Sequence, residues 1–194
     1  MHHFSALFTF AAIIKASMRK LKNSELNRLD VSGFKKAEKN PIILVLDNIR
    51  SLNNIGSIFR TADAFLVEGI YLCGITAQPP HREIHKTSLG ATDSVEWKYF
   101  ETTEEAIEDL RKKGYLILAL EQADQSIKLP DFKPDPVASY AIVLGNEVHG
   151  VEQKIVDLAD FCIEIPQFGT KHSFNVTISN GIIIWDILVK MNKL

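Results

Sequence analysis

Five short apolar runs recur along this 194-residue chain, and their regular separation by segments of helical periodicity is what most limits its fold. Pro41-Ile-Ile-Leu-Val-Leu-Asp47 is apolar up to its last residue. Gly69–Cys73 (GIYLC), Tyr115–Leu120 (YLILAL), Tyr140–Leu144 (YAIVL) and Phe161–Ile165 (FCIEI) repeat the pattern with few interruptions. A strand with one face in water alternates apolar and polar residues. A run that is apolar at successive positions has to be buried on both faces, as in a parallel sheet covered by helices. Between the runs, Asn54–Leu66 carries Ile55, Ile58, Phe59, Ala62 and Phe65 at helical spacing. Thr103–Lys113 has acids in its first turn and bases in its last, as the helix dipole favours. Val151–Leu158 and Ser173–Met191 read as further helices, His85–Ala91 as a weak one, and Ser94–Tyr99 as a short strand. Gln78-Pro-Pro80 and the stretch holding Pro130, Pro134 and Pro136 read as loops. The expectation is an α/β domain with a mostly parallel sheet flanked by helices over residues 41–194.

Residues 1–40 are different in character. They carry eight Lys and Arg against Glu25, Asp30 and Glu38, whereas the remaining 154 residues carry fourteen against twenty-one. This predicts an N-terminal extension and basic arm on an acidic body, with the arm suited to phosphate. The apolar stretch Phe4–Ala16 is shorter than the ~20 residues needed to span a bilayer. It lacks the preceding positive charge of a signal peptide, and Met18 opens a plausible soluble start. A cytoplasmic protein with no membrane partner is therefore expected, with Met1–Ser17 outside the fold. The two cysteines, Cys73 and Cys162, show neither disulfide-framework nor metal-ligand spacing. They read as buried small hydrophobes, and no metal is expected.

Ligands of open parallel sheets bind beyond the carboxyl ends of the strands. That directs attention to Asp47–Gly56, Glu121–Ser126, Gly145–Gly150 and Pro166–Asn175. In the first segment, Asn54 can cap the helix and Gly56 permits a close backbone approach. Arg60 is either a solvated helix arginine or a clamp for phosphate or carboxylate. In Leu144-Gly-Asn-Glu-Val-His-Gly-Val151, two glycines allow a tight turn with open backbone groups. The spacing fits neither a dinucleotide fingerprint nor a P-loop. Glu147 is either a helix-start carboxylate or an orienting group. In the third segment a Pro/Gly loop leads into a helix opened by Ser173 and Asn175, and no nucleophile elbow is present.

Taken together, three segments resemble motifs 1, 2 and 3 of the SpoU/TrmH branch of the SPOUT RNA methyltransferases. They are Asn54-x-Gly56-x-x-x-Arg60-Thr61, Leu144-Gly145-Asn146-Glu147-x-x-Gly150 and Ile165-Pro166-x-x-Gly169-x-x-x-Ser173-Phe174-Asn175-Val176. The similarity spans about Pro41 to Met191, and Ser88-Leu-Gly-Ala91 matches a further family feature. Motif 3 departs from the common pattern at Gln167, Lys171, His172 and Phe174.

The resemblance implies a SPOUT (α/β knot) fold with a C-terminal trefoil knot. It implies a homodimer and 2′-O-ribose methylation of tRNA or rRNA from S-adenosyl-L-methionine. By the same resemblance, Leu120, Gly145, Ile165, Ser173 and Phe174 contact the cofactor, while Arg60, Asn54, Glu147, Ser173 and Asn175 form the catalytic set. Glu147 would hold Arg60 or Asn54. An arginine keeps its proton at cellular pH and is an awkward base, so Arg60 is expected to stabilise a developing 2′-alkoxide. A SPOUT-fold RNA-binding dimer without activity is the alternative class, and the altered motif 3 would be its sign.

Overall fold

Side-chain alternation in the first buried strand settles the layering of the domain. In β1 (Asn40–Asp47), Ile42, Leu44 and Leu46 enter one hydrophobic core, while Ile43 and Val45 enter a second on the opposite face. The computed structural model of the protein describes residues 18–194; the extension expected at 1–17 lies outside them.

The chain continues through α2 (Leu52–Ala64), β2 (Val67–Cys73), α3 (Arg82–Ser88), α4 (Ala91–Ser94), β3 (Trp97–Phe100) and α5 (Thr103–Lys112). Then come β4 (Tyr115–Leu120), β5 (Ile127–Lys128), β6 (Ser139–Leu144), α6 (Gln153–Leu158), β7 (Phe161–Glu164) and α7 (Val176–Lys190). A short helix, α1 (Val31–Lys36), precedes β1. The seven strands form one sheet in the order β3-β2-β1-β6-β4-β7-β5, and every pairing is parallel. The expected parallel α/β sheet is thus present. The order proceeds outward from β1 through β2 and β3, then reverses across β1 with β6, β4 and β7. The carboxyl ends of β1 and β6 therefore flank a topological switch point.

Helices α2 and α7 cover the first face with Ile55, Ile58, Phe59, Ile183, Ile184 and Ile187. Helices α5 and α6 cover the second with Ala106, Ile107, Leu110 and Ile155. The chain divides into Met1–Asp30 and Val31–Leu194. The larger unit starts earlier than the Pro41 expected from sequence, because Phe34 on α1 is buried in the first core and Lys39 Nζ donates to the Phe34 and Ala37 carbonyls. In the smaller unit, the described residues hold one 3-10 turn, Asn23–Glu25, with Arg19 paired to Glu25 through both guanidinium nitrogens. Among the described residues no helix is long and apolar enough to cross a membrane.

Several boundaries shift for local reasons. Ser51, not Asn54, caps α2, its hydroxyl accepting from the Asn54 N–H at 3.3 Å. Helix α3 starts earlier than expected, capped by His81, and Leu89 at φ 50° ends it. The predicted strand at Ser94–Tyr99 begins later, because Ala91–Ser94 is a turn of helix. The proline-marked loop hides a two-residue strand, β5, and a 3-10 turn at Leu129–Asp131.

One contact fixes how α2 meets α3. A Cβ built on Gly56 would lie 2.1 Å from Thr87 Oγ1 and 2.3 Å from the Ile84 carbonyl oxygen. Thr87 Oγ1 also donates to the Asn53 carbonyl at 3.1 Å. Glycine inside a helix ordinarily costs ~1 kcal/mol relative to alanine. Here the close approach reverses the sign. Gly56→Ala should lower stability by roughly 1–3 kcal/mol, the scale of overpacking, read as a lower urea midpoint at unchanged m-value. A stabilised variant would contradict the tight α2–α3 packing.

Candidate active site

The carboxyl ends of β4, β6 and β7 leave a cleft of about 580 Å³, within the roughly 300–1,000 Å³ usual for small-molecule sites. Leu120, Leu144, Ile163, Ile165 and Val176 give it an apolar floor, and Glu121, Gln122, His149, His172 and Ser173 supply polar groups. All five residues expected to contact the cofactor (Leu120, Gly145, Ile165, Ser173 and Phe174) line this one space. They come from three strand ends and the start of α7, far apart in sequence.

The turn after β6 is built by its glycines. Asn146 and Gly150 form a two-way bridge, N–H to carbonyl in each direction at 3.0 and 2.8 Å. A Cβ on Gly145 would fall 2.2 Å from the Gly150 carbonyl carbon, and Gly150 itself has φ +68°. Both positions therefore demand glycine, one by contact and the other by backbone conformation. Glu121 secures the far side of the turn, its Oε2 accepting from the Val151 N–H at 2.8 Å. Asn146 secures the near side: Nδ2 donates to the Asn48 carbonyl at 2.7 Å, and Oδ1 accepts from the Val148 and His149 N–H groups.

Glu147 joins this turn to the one after β1. Its Oε2 accepts from the Arg50 N–H at 2.9 Å, and its Oε1 accepts from the Ser51 N–H at 3.0 Å and Asn54 Nδ2 at 2.9 Å. Burial works against the charged form of this carboxyl, yet these three donors outweigh it and hold Glu147 below the ordinary carboxylate range. Asn54 Oδ1 in turn accepts from Asn175 Nδ2 at 3.3 Å, while Asn175 Oδ1 caps α7 through the Thr177 N–H at 2.8 Å. Glu147, Asn54 and Asn175 therefore form one chain of hydrogen bonds across three elements. Because Ser51 takes the capping role, the Asn54 amide is left for this network.

Arg60 stands apart. It is exposed on α2, two turns beyond Asn53, and does not line the cleft. Among the described residues its side chain has no hydrogen-bond or ion-pair partner, so Glu147 holds Asn54 and not Arg60. Glu121, Gln122 and Asn146 lie in the strand-end segments that the sequence marks, but the sequence gives their side chains no role. Gln122 Nε2 donates to the His172 carbonyl at 2.7 Å and ties the motif 3 loop to the end of β4. The position of Glu121-Gln122 directly after a buried strand was the available signal.

The comparisons decide the family. A profile described as the SpoU rRNA Methylase family matches residues 41–185. This chain belongs to that family. A protein from Borreliella burgdorferi named "Uncharacterized tRNA/rRNA methyltransferase" is 32% identical over 188 residues, covering 93% of this chain and 79% of the relative. A protein from Staphylococcus haemolyticus named "Putative TrmH family tRNA/rRNA methyltransferase" is 28% identical over 163 residues, covering 84% of this chain and 64% of its own length. Among solved structures, an AdoMet-bound rRNA methyltransferase from Sinorhizobium meliloti superposes with a TM-score of 0.72 at 27% identity. It covers 78% of this chain, which spans 57% of that protein.

The Glu147 network has a pH signature. A carboxyl lowered by folding adds stability that is present above its unfolded value, near 4.5, and is lost as pH falls through the lower folded value. Glu147→Gln should therefore destabilise the protein at pH 7. The residue is solvent-exposed, so the loss is discounted to roughly 1 kcal/mol from the range for bonds to charged groups. The gap between the melting temperatures of the two proteins should close as pH falls from near 4.5 down through the lower folded value. A gap that is constant with pH would refute the charged role.

Proposed function

We propose that this chain transfers a methyl group from S-adenosyl-L-methionine to a ribose 2′-hydroxyl of tRNA or rRNA, and that it does so as a cytoplasmic homodimer. The observation that carries the reading is the meeting of motif 2 and motif 3 residues around one cleft, joined through Glu147 and Asn54 to the helix that bears Arg60.

The cleft fits the cofactor in size and in chemistry. Leu120, Leu144 and Ile165 offer apolar surface to an adenine ring, while Gly145, Ser173 and Phe174 offer backbone and hydroxyl groups around it. Bound there, S-adenosyl-L-methionine supplies an electrophilic methyl group on a sulfonium. The chain's own residues position the acceptor and stabilise charge. The Glu147–Asn54–Asn175 network holds the amides at the cleft edge. Arg60 stabilises negative charge on the 2′-oxygen and an adjoining phosphate, and the hydroxyl proton leaves to phosphate or water.

The position of Arg60 outside the cleft favours a site completed by a second copy. Ile178, Ile182, Trp185 and Val189 run along one face of α7. Three of them are exposed, and Trp185 makes an edge contact with Phe65 just past the end of α2. This apolar stripe lies beside the helix that bears Arg60 and suits self-association. The C-terminal path supports the expected trefoil knot, a rare topology. The segment after β7 is tied to Gln122, and α7 packs on the Leu129–Asp131 turn, with Lys190 Nζ donating to the Leu129 carbonyl.

Arg60→Ala should abolish methyl transfer while S-adenosyl-L-methionine binding, followed by calorimetry, stays near that of the parent protein. Arg60→Lys should restore a part of the rate, since it keeps the charge and loses the planar fork. Near-normal turnover by the alanine variant would sink this role. The overall reading is tested by ribose-methylation mapping of total RNA from a deletion strain, with loss of a 2′-O-methyl at a defined position expected. An unchanged map, together with no binding of S-adenosyl-L-methionine, would leave an RNA-binding dimer without activity.

A further inference from the structure

A second cavity of about 490 Å³ lies away from the cleft, between the loop that follows β2, helices α3 and α4, and the start of the edge strand β3. Pro79, Pro80, the buried Ile84 and the half-buried Trp97 make its apolar walls. Its rim carries His81, Arg82, His85, Thr92 and Asp93. None of these residues belongs to the three motifs, and the reading of the active site uses none of them.

We propose that this cavity binds one nucleotide of the RNA, outside the nucleotide that is methylated. The inference rests on the RNA-methylating reading of the main cleft. An indole and two prolines lining one cavity offer apolar surface to a flat ring, and stacking on an aromatic side chain is a common way proteins hold an unpaired base. Arg82 supplies a guanidinium for phosphate. It is exposed and, among the described residues, has no ion pair. The His85 ring is likewise exposed, and among the described residues it has no hydrogen-bond partner. His81 Nδ1 accepts from the Glu83 N–H at 3.2 Å, so in the neutral ring Nε2 carries the proton and is the donor left for a ligand. Thr92 and Asp93 add acceptors, which a base with N–H groups on its edge needs. Apolar walls, cationic and imidazole donors, and a carboxylate within one cavity match a nucleotide better than they match a lipid or a simple anion.

The cavity is also built in a fixed relation to the active site. Helix α3, which carries Arg82 and His85, is locked to α2 by the close approach at Gly56 and by the Thr87 bond to the Asn53 carbonyl. The turn from α3 to α4 runs through Leu89 at φ 50° and Gly90 at φ 92°, which brings Thr92 and Asp93 back to the rim. A nucleotide held here would set the path of the strand relative to Asn54 and Arg60 on α2.

Trp97 is one of only two tryptophans in the chain, so the part of the fluorescence change that is lost in Trp97→Phe reports on this cavity. Cytidine 5′-monophosphate is the probe, because it lacks the adenine that the main cleft would accept. Saturable quenching of Trp97 by this nucleotide is expected, with ribose 5-phosphate several-fold weaker. Arg82→Ala and His85→Ala, both at exposed positions, should each weaken the nucleotide several-fold. In methyl transfer the double variant should raise KM for RNA several-fold while S-adenosyl-L-methionine affinity holds. The proposal is overturned by absence of saturable quenching at millimolar nucleotide, by equal response to ribose 5-phosphate, or by variants with unchanged affinity and KM. The two readings fail separately. Quenching that depends on Arg82 in a protein without transferase activity would keep the cavity and remove the activity. Full activity with unchanged KM in the double variant would do the reverse.

Discussion

The two oxygens of Glu147 hold together the carboxyl end of the sheet. One half of the sheet reaches this edge through β1 and the turn at Asp47–Ser51, the other through β6 and the turn at Gly145–Gly150. Nothing covalent joins these turns, which lie nearly a hundred residues apart. A carboxylate accepting from two backbone N–H groups and one amide bridges them, and Asn146 adds a second tie to the Asn48 carbonyl. Charged acceptors make the stronger hydrogen bonds, so this carboxylate extends the β1–β6 pairing beyond the strands into the two turns at the switch point.

The cleft depends on that bridge and on glycine. Because the chain after β6 doubles back so tightly that no Cβ fits at Gly145, the whole turn from Gly145 to Gly150 lines the cleft. Glu121 and Gln122 then hold this turn and the motif 3 loop from the β4 side. Asn175 serves at this edge both as the cap of α7 and as the partner of Asn54. Arg60 stays outside this network: among the described residues its guanidinium has no hydrogen-bond or ion-pair partner, which leaves it open to a ligand. The same α2 that carries it is locked to α3, which links the active site to the cavity beneath Trp97.

Much of the fold was legible in the chain. Consecutive apolar residues in Ile42–Leu46, Tyr115–Leu120 and Tyr140–Leu144 leave no face for water, so a doubly covered parallel sheet follows. The positions of the motifs at the strand ends follow as well, and with them the residues from Leu120 to Phe174 that line one cleft. Local capping was misread at Asn54, because Ser51 and Asn54 are both good caps and only the geometry of the turn after β1 selects between them. The proline-marked loop concealed β5, since two residues carry too little periodicity to register.

The sequence by itself determined the class of fold, the strand ends that matter and the family to which the chain belongs. All three are written in local pattern: periodicity, turn residues and short motifs. Only the tertiary structure decided that Glu147 holds Asn54 and the β1 turn and leaves Arg60 unpaired, that Gly56 serves a helix contact, and that His81, Arg82, His85 and Trp97 share one cavity. Each of these depends on which residues distant in sequence meet across the sheet and its covering helices. Hydrogen bonding and close packing act over about 3 Å in space, a range that no one-dimensional pattern encodes.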